Sequence, residues 1–309
     1  MVKAETVLVL GAGASAPFGF PTGQRLKAQI CGKPIDVNTN LNPLVSLGFA
    51  RDDIEEFRVA LKKSGRPSVD AFLEYREDFV PIGKAAIAST LLRLENTDAI
   101  FGGQVEGNWY DYLFGILSDG MPFDEFDKNK LSIITFNYDR SIEHYLFTVL
   151  KHSYKKSEKE CAEKLSQIPI VHVHGSLGNL EWQTSTTGAP PVPYDSEAKR
   201  GHIKSAAENI QIIPESKMDT KEFLRARKLI LRAQRLLFLG FGYHPTNLRR
   251  LGMDFMERKT PLDVEGTYLG LSHEREYEVQ RLYPFLTPIT LVREDVYTFL
   301  HNHVIFSKV

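Results

Sequence analysis

The residues best suited to chemistry in this chain sit at the ends of short apolar runs. Gly11-Ala12-Gly13-Ala14-Ser15 follows TVLVL. Glycines at such a turn let the backbone approach a ligand, and main-chain N–H groups together with the positive end of the next helix can face a diphosphate. Asn137 and Asp139, an amide and a carboxylate two residues apart, follow LSIITF; a helix cap is the plain alternative for Asn137. His172-Val173-His174-Gly175-Ser176 ends PIVHV. Histidine titrates near neutrality, so His174, beside Gly175, is the expected base, and His172 reads as a hydrogen-bonded core residue. Two histidines without a neighbouring carboxylate or cysteine make a poor metal site, and zinc is not expected. Gly240 lies within LLFLGF and Gly242 follows it, where a nucleotide can lie against the backbone, and Ser272 follows TYLGL, placed to bond a sugar hydroxyl.

Bringing these residues together requires elements that end on one edge. The runs at 6–10, 131–136, 169–173, 236–241, 267–271 and 286–292 read as buried strands, and most are separated by segments of helical spacing, at 23–30, 139–150, 221–235, 246–258 and 274–283. The expected class is α/β: a doubly wound, Rossmann-like parallel sheet of about six strands. Residues 51–119 contain only helix-like stretches, at 52–63, 69–79, 82–94 and 109–117. The expectation is a helical insertion at 51–119 beside a nucleotide-binding domain formed by 1–50 and 120–309. Residues 182–201, rich in Pro, Gly, Ser and Thr, read as a loop. All five motifs then fall at carboxyl ends of parallel strands, the edge where such sheets bind ligands.

Composition narrows the function classes. Lys plus Arg number 38 against 39 Asp plus Glu, so no strong field draws the chain to nucleic acid or to an anionic membrane. Cys31 and Cys161 can build neither a disulfide framework nor a four-cysteine metal site. Neither a signal-peptide pattern nor a bilayer-length apolar stretch occurs, and a cytoplasmic location is expected. A dehydrogenase would place a second strand and an acidic ribose ligand about 20 residues after the glycine turn. Here that stretch is CGKPIDVNTNLNP, with Asp36 beside a proline and no apolar strand, which argues against hydride transfer.

Taken in order, GAGAS with FPTG, then TFNYD, HVHGS and LGFGY resemble the motif series of the sirtuin-like superfamily. More closely, they are similar to the zinc-less sirtuin-like NAD hydrolases of bacterial antiphage defence. The resemblance covers roughly residues 1–30 and 130–290. It implies that Gly11, Ala12, Gly13 and Ser15 contact the diphosphate and ribose of NAD, with Thr22 in the adjoining loop. It further implies that Asn137 and Asp139 act beside the nicotinamide ribose, that His174, followed by Gly175, acts on the ribose hydroxyls, and that Gly240, Gly242 and Ser272 lie near the adenosine half.

Deacetylating sirtuins carry a zinc module of paired cysteines that this chain lacks, which favours simple cleavage of NAD to nicotinamide and ADP-ribose over protein deacylation. Such an enzyme would be a regulated toxic effector depleting NAD. The resemblance implies a homo-oligomer and an activating partner, with a DNA-translocating ATPase, an argonaute or a phage protein as candidates. The competing readings are a non-catalytic sensor or scaffold binding NAD or ADP-ribose, and a protein deacylase or ADP-ribosyltransferase whose acceptor channel would have to involve 182–201. The aromatic stretches FLEYREDFV and WYDYLFGIL serve either self-association or packing against the sheet.

Overall fold

The computed structural model describes residues 1–32, 43–103, 105–184, 188–195, 197–214, 219–254, 262–270, 272–282 and 289–306. Asp36 lies outside the described residues. Six strands, β1 (Thr6–Leu10), β2 (Leu131–Thr135), β3 (Ile170–His172), β4 (Arg235–Leu239), β5 (Asp263–Thr267) and β6 (Ile289–Val292), form one sheet in the order β3-β2-β1-β4-β5-β6. Every neighbouring pair is parallel. The sheet is therefore of the Rossmann-like α/β kind, with the strand order reversing direction between β1 and β4.

A continuously apolar strand needs cover on both faces, and alternation along the central strands shows that it has it. Leu8 and Leu10 of β1, Ile133 of β2, and Leu237 and Leu239 of β4 enter one core. Val7 and Val9, Ile134, Leu236 and Phe238 enter the other.

The chain between the first two strands is helical: α1 (Ala12–Ser15), α2 (Gly23–Cys31), α3 (Pro43–Ser46), α4 (Arg51–Lys63), α5 (Val69–Leu73), α6 (Val80–Leu92), α7 (Thr97–Phe101) and α8 (Trp109–Ser118). Phe57, Phe72, Phe79, Ile87, Trp109, Tyr110 and Leu113 from this stretch join the first core directly, so the helices share one hydrophobic interior with the sheet. The aromatic side chains offered by FLEYREDFV and WYDYLFGIL are largely consumed there; Tyr75, 53% exposed, is an exception.

Helices α9 (Ser141–Tyr154), α10 (Glu158–Leu165) and α11 (Arg200–Asn209) follow β2 and β3. The second face is covered by α12 (Lys221–Arg232) and α13 (Pro245–Arg250), through Phe223, Ala226, Ile230 and Leu248, and by Val279 of α14 (His273–Leu282). Helix α15 (Val296–Asn302) closes the chain's helical series.

One strand departs from expectation. The fifth is Asp263–Thr267 rather than 267–271, because its pattern DVEGT is not apolar. Asp263 and Glu265 occupy one face of it and pair with Arg235 of β4, at 3.5 and 3.4 Å, while Val264 is buried on the other. Ion pairs replace apolar contacts on that face. The sixth strand begins at Ile289, and 283–288 lie outside the described residues.

Candidate active site

The glycine turn after β1 is built against the turn after β4. Gly11 N–H donates to Leu239 O and Gly13 N–H to Gly240 O, both at 3.0 Å. Gly240 has φ +57°, and a Cβ on it would stand 2.1 Å from Ala14 N; one on Gly11 would stand 2.5 Å from Gly240 O. Only hydrogen fits at these positions, so the two turns lock together at the place where the strand order reverses. The lock also uses the Gly13 N–H, one of the main-chain donors expected to face a diphosphate. Helix α1 is a single turn running into a 3₁₀ turn at Ala16–Phe18, so its dipole is small.

Asn137 reaches this lock from the end of β2. Its Nδ2 donates to Gly11 O at 3.0 Å and to Ser15 Oγ at 2.9 Å. A main-chain carbonyl can only accept, so this contact fixes the amide's orientation and leaves Oδ1 as its remaining acceptor. Asn137 is not the side-chain cap of α9, whose N-cap residue is Arg140. Asp139 accepts from Ser141 Oγ and, at 3.3 Å, from Ser141 N. Burial pushes the Asp139 carboxyl up from its ordinary value, opposed by hydrogen bonds from Ser141 and Ser15. Tyr110, from α8, shares a 2.7 Å hydrogen bond with Ser141 Oγ. Gly11, Ser15, Asn137, Asp139, Ser141 and Tyr110 thus form one continuous buried polar cluster.

A cavity of ≈ 90 Å³ opens beside it, lined among others by Ala12, Ser15, Phe20, Asp70, Asn137 and Asp139. Pro21 and Gly23, the neighbours of Thr22, also line it, which puts Thr22 at its margin. At ~30 Å³ per water the void holds roughly three waters, enough for a fragment of a dinucleotide.

His174 lies on the other side of Phe136, the ring that precedes Asn137. Its imidazole packs at 5.6 Å from the Phe136 ring and 5.7 Å from Phe223. Burial lowers its pKa to about 4; Asp70 works against that shift and Arg250 adds to it. His174 is therefore neutral at pH 7. Asp70 links the two groups, for it lines the cavity, accepts a hydrogen bond from Tyr138 Oη and faces His174 electrostatically.

His172, two residues earlier, has the opposite surroundings. Nδ1 meets Asn137 O at 2.9 Å and Nε2 meets Glu143 Oε1 at 2.6 Å, both acceptors. Burial disfavours its charge, yet Glu143 and the Asn137 carbonyl outweigh burial and raise its pKa. It holds the backbone of Asn137.

The remaining assigned residues follow the edge outward. Gly175 has φ +74°, and a Cβ there would meet Asn209 O at 2.0 Å, so packing against the end of α11 already requires glycine. Gly240 N–H donates to Thr267 Oγ1 at 2.9 Å. Gly242 is exposed with open space around it, and exposed Ser272 stands just before α14.

Asp70, Tyr110 and Ser141 were not singled out from sequence. Ser141, two residues beyond Asp139, was legible as a partner; Asp70 and Tyr110 come from the helical stretch and carry no local signal. Trp109 Nε1 also donates to Ala14 O at 2.8 Å, tying α8 to the glycine turn. Next to Asp139, buried Arg140 pairs with Glu95 and donates to Gly178 O and Val192 O, which fixes the chain after His174.

Residues 131–283 match the SIR2-like domain. That supports a sirtuin-like family, whose SIR2-like domains bind NAD and are often NAD-dependent enzymes. The SIR2-like match spans Asn137, Asp139, His174, Gly240, Gly242 and Ser272. It begins after the glycine turn, yet Asn137 bonds that turn directly, so the structure joins residues 11–15 to the matched segment. No curated protein matches the chain. Among the described residues no group of three or more His, Cys, Asp or Glu is arranged to hold a metal, and no helix is long and apolar enough to cross a membrane.

Proposed function

We propose that the protein is an NAD glycohydrolase, cleaving NAD to nicotinamide and ADP-ribose with Asn137, His174 and Asp139 at the reacting end. The observation that carries this reading is the Asn137 amide, oriented by Gly11 O and Ser15 Oγ in a cavity at the strand-order reversal. Nicotinamide in NAD is a cationic leaving group. The bond from ribose C1′ to the ring nitrogen breaks, the electron pair leaves with neutral nicotinamide, and water oxygen bonds to C1′. Asn137 Oδ1 accepts from that water and orients it, a positioning effect that needs no ionised side chain.

Positive charge grows on the ribose in the transition state. Asp139, buried against Ser15 and Ser141, supplies a fixed counter-dipole or charge for it. The proton lost in hydrolysis goes to neutral His174 through a ribose hydroxyl, with Asp70 supporting the imidazolium that forms. Gly11, Ala12, Gly13, Ser15 and Thr22 would line the ribose and diphosphate, with Gly175, Gly240, Gly242 and Ser272 along the adenosine half.

The ordered motifs further support a zinc-less, cytoplasmic effector of bacterial antiphage defence that depletes NAD. Unchecked turnover would empty its own cell, and the ≈ 90 Å³ cavity suits a silent form that assembly or an activating partner must open. A homo-oligomer triggered by a DNA-translocating ATPase, an argonaute or a phage protein fits that requirement. Incubating purified protein with NAD, alone and with its activator, is expected to release nicotinamide. No release under either condition rejects the hydrolase.

A further inference from the structure

A second cavity, of ≈ 780 Å³, lies beyond β3, between α9, α10 and residues 179–184. None of the residues assigned to NAD lines it. Its wall includes Glu143, whose side chain is only 3% exposed. One carboxylate oxygen, Oε1, meets His172 Nε2; the other, Oε2, is buried with no hydrogen-bond partner. Trp182 Nε1 is likewise buried without a partner, while its indole stacks parallel on Phe147 at 4.8 Å. Buried polar atoms in folded proteins are nearly always satisfied, by protein groups, water or a ligand, so an unmatched acceptor and an unmatched donor carried by one cavity wall mark a candidate ligand site.

The polar and charged groups of the wall narrow the kind. Glu143, Glu158, Glu163 and Glu181 face Lys159 and Arg225. Glu158 is paired with Lys151, and Glu163 lies 4.0 Å from Lys159. Glu181 and Arg225 make no ion pair among the described residues, so the remaining rim charges balance and the buried acceptor on Glu143 decides the kind of ligand. A metal ion would need several oxygen ligands around one point. Here the same cavity wall carries one buried oxygen, an indole N–H donor and the apolar side chains of Leu146, Ala162, Leu165 and Ile170.

We propose that this cavity binds a small organic cation, an amine or guanidinium whose N–H groups bond Glu143 Oε2 while its carbon chain lies on the apolar wall. The volume falls within the range of small-molecule sites. Glu181 adds attraction at the rim, and Trp182 Nε1 donates to an acceptor on the ligand or to a water it brings.

The site is wired to the NAD edge. His172 bridges Glu143 Oε1 and Asn137 O, and two acceptors are both satisfied only when the ring carries both protons. A cation drawing on the Glu143 carboxylate loosens its hold on His172, and through His172 the backbone position of Asn137. This coupling rests on the reading of Asn137 as part of the NAD site; the binding itself does not.

The test uses agmatine and spermidine as probes, titrated into the purified full chain without NAD, by calorimetry and tryptophan fluorescence, with succinate as the anionic control. Saturable binding of at least one cation with Kd below about 1 mM is expected, with no response to succinate. Glu143→Gln should weaken binding at least about tenfold, equivalent to 1.4 kcal/mol. Because that substitution also touches His172, two gentler ones accompany it. Trp182→Phe keeps the stack and removes the donor, and Glu181→Gln changes an exposed rim; each should weaken binding about threefold, the size of a modest polar contact. No saturable binding, or affinity unchanged in all three variants, overturns the site. Binding with no shift of the Asn137 backbone amide resonance and no change in nicotinamide release overturns the coupling alone.

Discussion

At the carboxyl edge of the sheet, the ends of β1 and β2 carry buried polar side chains bonded to one another, whereas the ends of β4 and β5 present backbone and open surface. On the first side, Asn137, Ser15, Asp139, Ser141 and Tyr110 are hydrogen-bonded to one another, which leaves Asn137 Oδ1 as the acceptor not used by that network. On the second, Gly240 and Gly242 carry no side chains and Thr267 steadies a main-chain N–H. Fixed dipoles in a buried setting are what a reaction centre requires, and smooth backbone is what a bound nucleotide half requires. The two sides should therefore fail differently when altered: the first in turnover, the second in affinity, and the glycine lock between them in folding.

The lock should give the largest effect. Gly240→Ala puts a methyl group 2.1 Å from Ala14 N, at a left-handed φ, and neither main chain can yield without moving both turns. A stability loss of order 3 kcal/mol or more is expected by chemical denaturation. A mild effect would show that the turns are not rigidly joined.

Asn137→Ala should come next. Nicotinamide release is expected to fall by about 10²–10³-fold, with NAD affinity changed only a few-fold. Loss of binding with intact turnover per bound NAD would move Asn137 to the affinity side.

Acid sharpens the comparison within one strand end. Burial holds His174 and His144 at about 4, so both remain neutral in the folded chain while the unfolded chain protonates near 6.5. The folded state then loses stability as pH falls from 6.5 to about 4, by on the order of 3 kcal/mol for His174. His172, whose pKa is raised, works with the opposite sign, and its contribution is lost as pH rises through that value. His174→Phe, which keeps an aromatic ring between Phe136 and Phe223, should flatten the melting-temperature profile across pH 6.5 to 4. An unchanged slope would show that His174 is solvated.

The smallest effect belongs to the open side. Thr267→Val removes the acceptor of Gly240 N–H, worth about 1 kcal/mol, and should raise KM for NAD a few-fold at constant kcat.

The same contrast explains what the sequence disclosed. Strands β1, β2 and β4 announced themselves because both of their faces are apolar, and the residues that follow them were found with them. Strand β5 was placed four residues late because Asp263 and Glu265 are satisfied by Arg235, a pairing visible only once β4 and β5 are neighbours. Asp70 was missed for a related reason. It reaches the cavity from α5, far from β2 in sequence, and a single aspartate in the first turn of the otherwise apolar VDAFL looks like any acidic residue near a helix start. The role of Gly13 was legible as a need for glycine, but the partner that demands it is another stretch of this chain.

The central claim is that the turn around Gly13, the Asn137 amide and the His174 imidazole serve one dinucleotide. A crystal structure of Asn137→Ala with NAD bound tests it most directly. The account predicts nicotinamide-ribose C1′ within about 4 Å of residue 137 and a ribose hydroxyl within about 3.2 Å of His174, directly or through one water. NAD lying with its nicotinamide ribose beside Gly242 and Ser272, or bound elsewhere on the protein, would contradict it.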